Sequence, residues 1–139
     1  MDHVVFVSRA YREMDRLLSG DRTMIVRGSL GRRLPYGKVG PGDMLFFATG
    51  NGRNVVKATA GVQNVLETQM LSGGEASALL ERYKGQLSLA DAEADKWSRK
   101  KYLTLVEIDR VSPVVPFTID ARGDEDDWLA LDDIDVIIK

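Results

Sequence analysis

The sequence contains no cysteine and only one histidine, His3. The first absence excludes disulfides, thiolate-bound zinc, iron–sulfur clusters and a cysteine nucleophile. The second excludes metal centres and proton relays built on paired histidines. Aromatic residues make up 7% of the chain, too few for an extended base-stacking platform. No apolar run exceeds a few residues, so no membrane span and no membrane partner are expected. The first twenty residues carry Asp2, Glu13 and Asp15 and no apolar block. That argues against a secretory signal and for a cytoplasmic protein.

What is present fits one globular domain over residues 1–139, with 44% hydrophobic and 29% charged residues. The net charge of −2 conceals a division. Residues 1–60 hold ten Lys/Arg against five Asp/Glu, and residues 61–139 hold nine against sixteen. The basic half is rich in arginine, whose planar fork suits phosphate and carboxylate. The acidic surplus concentrates in 120–135, where eight carboxylates face one base, Arg122. The division permits an anion-binding face despite the net negative charge. It equally permits two halves whose charges pair on a solvated surface.

Residues 3–7 (HVVFV) are β-branched and aromatic and predict a buried strand. Ser8 stands at an N-cap position, Tyr11, Met14, Leu17 and Leu18 recur at helical spacing, and Gly20 supplies a stop. A helix over 9–19 follows. Strands are predicted over 23–27, 44–48, 55–66, 101–108 and 111–119, the last broken by Pro113 and Pro116 and so an edge or irregular strand. Asn51-Gly52 marks a hairpin turn between the third and fourth strands. Ser72 with Glu75, and Ser88 with Asp91, signal the starts of two helices. Trp128-Leu129 and 136–138 return the chain to the core. The class is α+β: a small, mostly antiparallel β-barrel decorated by helices. Its core spans about 3–119, with an acidic C-terminal extension over 120–139.

Several familiar chemistries fail on their spacing. Gly50–Val55 has valine where a dinucleotide loop needs its third glycine, and a strand follows it. Ser29 lacks the glycine two positions earlier that a nucleophile elbow requires, since Arg27 stands there. A serine triad would have to recruit His3 from a buried strand. Asp124–Asp127 lacks the spacing and turn glycine of a calcium loop. No metal and no cofactor are expected.

Segment 20–27 carries more. Strand alternation places Ile25 and Arg27 on one face and Met24 and Val26 on the other, with Arg22 at the mouth. Arg22 and Arg27, with Thr23 and with Ser8 and Arg9 at the neighbouring strand-to-helix turn, could converge on one anion. If Arg27 is buried it needs a partner, either a ligand or a carboxylate such as Glu107 or Asp43.

This segment resembles the signature of the ASCH family, a branch of the PUA-like superfamily: glycine, any, lysine, two of any, glutamate, any, arginine. Gly20 and Arg27 match, Arg22 replaces the lysine and Ile25 replaces the glutamate. Val39–Asp43 leading into Met44–Phe47 resembles the family's glycine-aspartate turn and strand. Tyr102–Ile108 resembles its late core strand, and the likeness covers roughly 3–119. The resemblance implies a five- or six-stranded β-barrel with a polar cleft, and RNA or a nucleotide as ligand. It also admits hydrolysis of acetylated cytidine or of RNA. That amidohydrolase chemistry relies on a signature lysine, a threonine near the glutamate position and a carboxylate. Arg22 is a poor base, and Ile25 has neither hydroxyl nor carboxylate.

The expected function is therefore RNA or nucleotide binding in an arginine-lined anion cleft. Arg22 and Arg27 form the clamp, with Arg9, Arg53 and Lys57 as a basic track and Trp97 and Tyr102 as stacking candidates. The alternative is a hydrolase acting on a modified nucleoside or RNA, with Glu107, Asp43 or Asp21 as general base. A third reading is a protein-interaction domain that uses the acidic 120–135 segment.

Overall fold

The run that opens the chain is apolar on both faces because both faces are covered. β1 (Asp2–Phe6) sends His3 and Val5 to one side and Val4 and Phe6 to the other, and all four are buried. In the computed structural model, which describes residues 1–50 and 54–139, β1 is an inner strand of a mixed sheet. β2 (Met24–Ser29), β3 (Met44–Thr49), β4 (Val55–Glu67), β5 (Tyr102–Ile108), β6 (Ser112–Thr118) and β7 (Trp128–Leu131) complete it. The strand order is β2-β5-β4-β3-β1-β7, with β6 also paired to β4. β1 and β3 run parallel, from Asp2 opposite Met44 to Phe6 opposite Ala48. The other strand pairs among the described residues are antiparallel.

β4 is the strand that curls the sheet. Its first half lies between β3 and β6 and its second half pairs with β5. Register shifts next to Ala58 and Val62 add twist and bend. The result is a half-barrel filled by Val5, Ile25, Phe47, Val62, Val106 and Trp128, among others. This is the α+β, barrel-like class that the strand pattern predicts.

Each outer face has its own cover. α2 (Glu75–Arg82), α3 (Lys84–Leu87) and α4 (Asp91–Ser98) lay Leu80, Leu87 and Trp97 over Met24, Val26, Leu103 and Leu105. The C-terminal segment lays Ile119 and Ile134 over Val4, Phe6, Ala48 and Val56. Among the described residues no helix is long and apolar enough to cross a membrane.

Three local differences from the sequence reading have physical causes. α1 spans Glu13–Ser19 rather than 9–19, because Arg12 has φ 53, in the left-handed region where a helix cannot continue. Gly20 ends it as expected, at φ 84. β2 runs two residues past Arg27, because β5 pairs with it as far as Ser29 opposite Tyr102. Ser88 does not start a helix: it closes α3 at φ 48, and α4 begins at Asp91 with the Glu93 carboxylate accepting from the Ala90 N–H. The Asn51-Gly52 turn lies outside the described residues, although the strands on either side pair as a hairpin would.

Gly28 is where β2 and β5 approach most tightly. A Cβ there would sit 2.5 Å from a Leu103 methyl and 2.9 Å from the Tyr102 carbonyl oxygen, a backbone atom that cannot swing away. Gly28→Ala is accordingly expected to cost about 1–3 kcal/mol, measured by urea unfolding. Unaltered stability would show that the two strands can part at no cost.

His3 is a core residue with both ring nitrogens engaged. Its Nδ1 accepts from Trp128 Nε1 at 2.9 Å, so Nε2 carries the proton and donates to Asp43 Oδ2 at 2.8 Å. Asp43 also accepts from the Gly40 N–H. Hydrogen bonds and the N-terminal ammonium outweigh its desolvation and hold its carboxyl below the usual aspartate value.

Candidate functional site

Four charged side chains meet where α1, the start of β2 and α4 converge. Glu13 heads α1 on the same face as Leu17, one turn on, and is fully buried. One of its oxygens accepts from Arg27 Nη2 at 2.7 Å and from the Ser8 N–H at 3.0 Å. The other accepts from Arg22 Nη1 at 2.8 Å and from Arg27 Nη1 at 3.1 Å. Arg22 also donates to Glu93 at 2.8 Å and to the carbonyls of Leu87 and Ser88 at 2.8 and 3.2 Å. Arg27 donates further to the carbonyls of Val26 and Phe6.

Two arginines and two glutamates balance in charge, as a buried cluster must. Burial pushes the Glu13 carboxyl up, but the Arg27 and Arg22 charges and the Ser8 N–H together outweigh it and hold it below the ordinary value. One polar atom is left over: Arg27 Nε is buried with no hydrogen-bond partner.

Beyond this cluster, the far end of β2 opens into a cleft of about 750 Å³. Gly28, Ser29 and the loop to Leu34 form one side, and Lys100 with Asp126, Asp127 and Trp128 the other. Arg33 and Lys100 bring positive charge to its lining. Lys96, on α4, forms an ion pair with Asp126 and lies 4.6 Å from the centre of the Trp97 ring. Burial, helped by Arg27 and Lys100, pushes the Lys96 amine below its usual value against the pull of Glu125 and Glu93. Beside the cleft, the Arg32 guanidinium stands 5.8 Å from the Tyr36 ring centre and 5.5 Å from that of Tyr102. The two rings meet edge to face at 5.7 Å.

No family model matches the sequence, and no curated protein does. Similarity to solved structures is clear. The crystal structure of ASCH from Zymomonas mobilis superposes with a TM-score of 0.61 at 15% identity, covering 83% of this chain and 71% of that one. A point mutant of the same protein gives 0.63 at 16% identity, covering 86% and 76%. The chain has the ASCH fold. At such identity the likeness concerns architecture, and the site must be judged on this chain's own residues.

Within the ASCH fold, the residues singled out from the sequence separate into three groups. Arg22 and Arg27 meet, but at Glu13 rather than at an open mouth, and Arg22 has all its nitrogens engaged by protein. Neither Glu107 nor Asp43 is the carboxylate partner of Arg27. That carboxylate comes from α1, whereas Ile25 on β2 points into the apolar interior. Ser8 and Arg9 lie nearby and both bind Glu125. Thr23 is exposed at the other end of β2, six residues and so roughly 20 Å of strand from Ser29. Lys57 is exposed on β4, and Arg53 lies outside the described residues. Trp97 is buried under the helices with no face free for a base, while Tyr102 is half-buried beneath Arg32.

Sequence reasoning missed Glu13, Glu93, Lys96, Lys100 and Asp126. A signal existed for the first two. Each glutamate precedes a buried apolar residue by four positions, Leu17 and Trp97, and so lies on the buried face of its helix. The general-base candidates lie away from the cleft. Asp43 is bound to His3, Asp21 is exposed beside the start of β2, and Glu107 faces Met24 at that same end of the strand.

Proposed function

We propose that the chain binds single-stranded RNA or a nucleotide in the cleft at the end of β2. The observation that carries this reading is the composition of the cleft. Arg33 and Lys100 line it, Lys96 reaches its wall, and an arginine–tyrosine stack stands beside it. Cationic side chains that neutralise phosphates and aromatic faces that accept bases are what single-stranded nucleic acid requires. The ASCH fold is compatible with such a ligand. In this reading Ser29 offers a hydroxyl to the ligand, and Arg9 and Ser8 extend the site across the β1–α1 turn. Arg27 lies behind the cleft, next to Gly28, with its terminal nitrogens held by Glu13 and by the carbonyls of Val26 and Phe6. Arg22 has a structural part, holding α1, α3 and α4 together around Glu13 and Glu93.

The double variant Arg33→Ala/Lys100→Ala tests the proposal by fluorescence anisotropy with a short fluorescein-labelled single-stranded RNA. Affinity is expected to fall about tenfold, with the salt dependence reduced by roughly 0.7 per lost phosphate contact. Both side chains are at least partly exposed, so the melting temperature should barely change. A wild-type protein that leaves the RNA free at low salt would overturn the reading, as would a variant that binds like wild type.

A further inference from the structure

We propose that residues 122–126 form an acidic strap that occupies the phosphate positions of the cleft when no ligand is bound, and that nucleic acid displaces it. The proposal rests on the RNA-binding reading and adds where the phosphates go and what holds their place.

The strap presents two carboxylates to donors on separate elements. Glu125 Oε1 accepts from the Arg9 N–H at 2.8 Å, and its Oε2 accepts from the Ser8 hydroxyl at 3.3 Å. Asp126 accepts from the Lys96 ammonium. One anion thus bridges the β1–α1 turn and the next pairs with α4, across the rim of a cleft that Asp126 itself lines. Oxyanions held by an N–H and a hydroxyl, as at Glu125, or by an ammonium, as at Asp126, occupy donors that phosphates accept from equally well. Burial disfavours the Lys96 charge, Arg27 and Lys100 repel it, and Glu125 and Glu93 attract it, so Lys96 stands among charges of both signs.

The strap is a short irregular segment held at both ends and at Phe6, where Gly123 packs on the ring. Upstream it is anchored where the Asn54 side chain donates to the Ala121 carbonyl, and downstream where Trp128 enters the core. Between these anchors the chain has no regular secondary structure. Two backbone hydrogen bonds to Phe6, from the Asp126 N–H and to the Asp127 carbonyl, tie it to the end of β1. Asp126 is held at φ 71, a conformation that residues other than glycine seldom adopt. Glu125 is exposed, so its carboxylate can turn to solvent without crossing the core. Opening uncovers the Arg9 N–H, the Ser8 hydroxyl and Lys96, and it withdraws three adjacent negative charges, those of Asp124, Glu125 and Asp126, from the approaching ligand.

A closed strap lowers apparent affinity in proportion to the fraction of time it is open. Glu125→Ala/Asp126→Asn is therefore expected to tighten binding of the labelled single-stranded RNA about tenfold, corresponding to a strap open roughly a tenth of the time. Asparagine is chosen at 126 because it tolerates the left-handed backbone. Glu81→Gln/Asp132→Asn removes the same charge from exposed positions elsewhere and should shift affinity less than about twofold. Adding Lys96→Met to the strap variant should abolish most of the gain. A strap variant that binds no more tightly than wild type or than the charge control overturns the strap and leaves the RNA reading intact. A gain that survives Lys96→Met overturns the phosphate position assigned here. Absence of binding by every protein overturns both readings.

Discussion

Glu13→Ala is expected to be the most damaging single substitution in this fold. It removes the one carboxylate that both Arg22 and Arg27 grip, leaving the buried Arg27 with no carboxylate and Arg22 with Glu93 alone. Breaking a buried ion pair from one side costs roughly 3–5 kcal/mol, because the stranded charge keeps its desolvation penalty. That is a large share of a typical domain's stability, and a fall in melting temperature of about 10 °C or more should follow. Glu13→Gln keeps the shape and some hydrogen bonds but not the charge, so it should fall between wild type and alanine. Acid gives an independent check. The fold holds the Glu13 carboxyl below its ordinary value of 4.5, so the folded chain binds that proton more weakly than the unfolded chain. The stabilisation is complete above the ordinary value and is lost as pH falls through the folded value. Urea unfolding between about pH 7 and about pH 3 should show wild type losing its advantage over Glu13→Gln on the acid side. An advantage that persists unchanged into acid would mean that the charge of Glu13 contributes nothing.

Trp128→Ala should rank next, with a loss of about 3–5 kcal/mol. The indole is buried among β1, β3 and β5 residues, and its N–H is the donor that satisfies His3 Nδ1. Trp128→Phe separates the two contributions. It keeps most of the packing but leaves a buried imidazole nitrogen without a donor, which costs about 1–3 kcal/mol. Equal losses for alanine and phenylalanine would assign the whole effect to the hydrogen bond. A loss under about 1 kcal/mol for alanine would show that the acidic C-terminal segment is a dispensable appendage.

The strands were legible because each is a short apolar run bounded by glycine, proline or a cap, and burial on both faces leaves little room for polar residues. HVVFV, TMIVR, MLFFA and KYLTLVEI all became strands within a residue or two of the expected ends. Arg27 stood out for the same reason, as a charge inside an apolar strand. Its partner did not. Glu13 lies in a stretch rich in charged residues, and a buried glutamate is spelled the same way as a solvated one. The distinguishing feature is its four-residue spacing from Leu17, which is weak in a seven-residue helix. The cleft was less legible still. Ser29 and Arg33, Lys100, and Asp126 come from three stretches of chain, and only the β2–β5 register and the return of the chain at Trp128 bring them together. Read from composition, the acidic segment looked like a rim or a partner-binding tail. Its contacts are with Ser8, Arg9 and Lys96 of its own domain.

The place of β1 in the sheet bears on how the chain reaches this structure. β1 precedes the other described strands, yet its neighbours are β3 and β7, and Asp2 pairs with Leu131. During synthesis one edge of this apolar strand stays bare until β7 has been added. Closing loops over such separations must precede the pairing, and non-local contacts of this kind slow folding. The nascent chain thus carries an unpaired edge until β7 emerges, and such an edge is open to chaperone capture or aggregation.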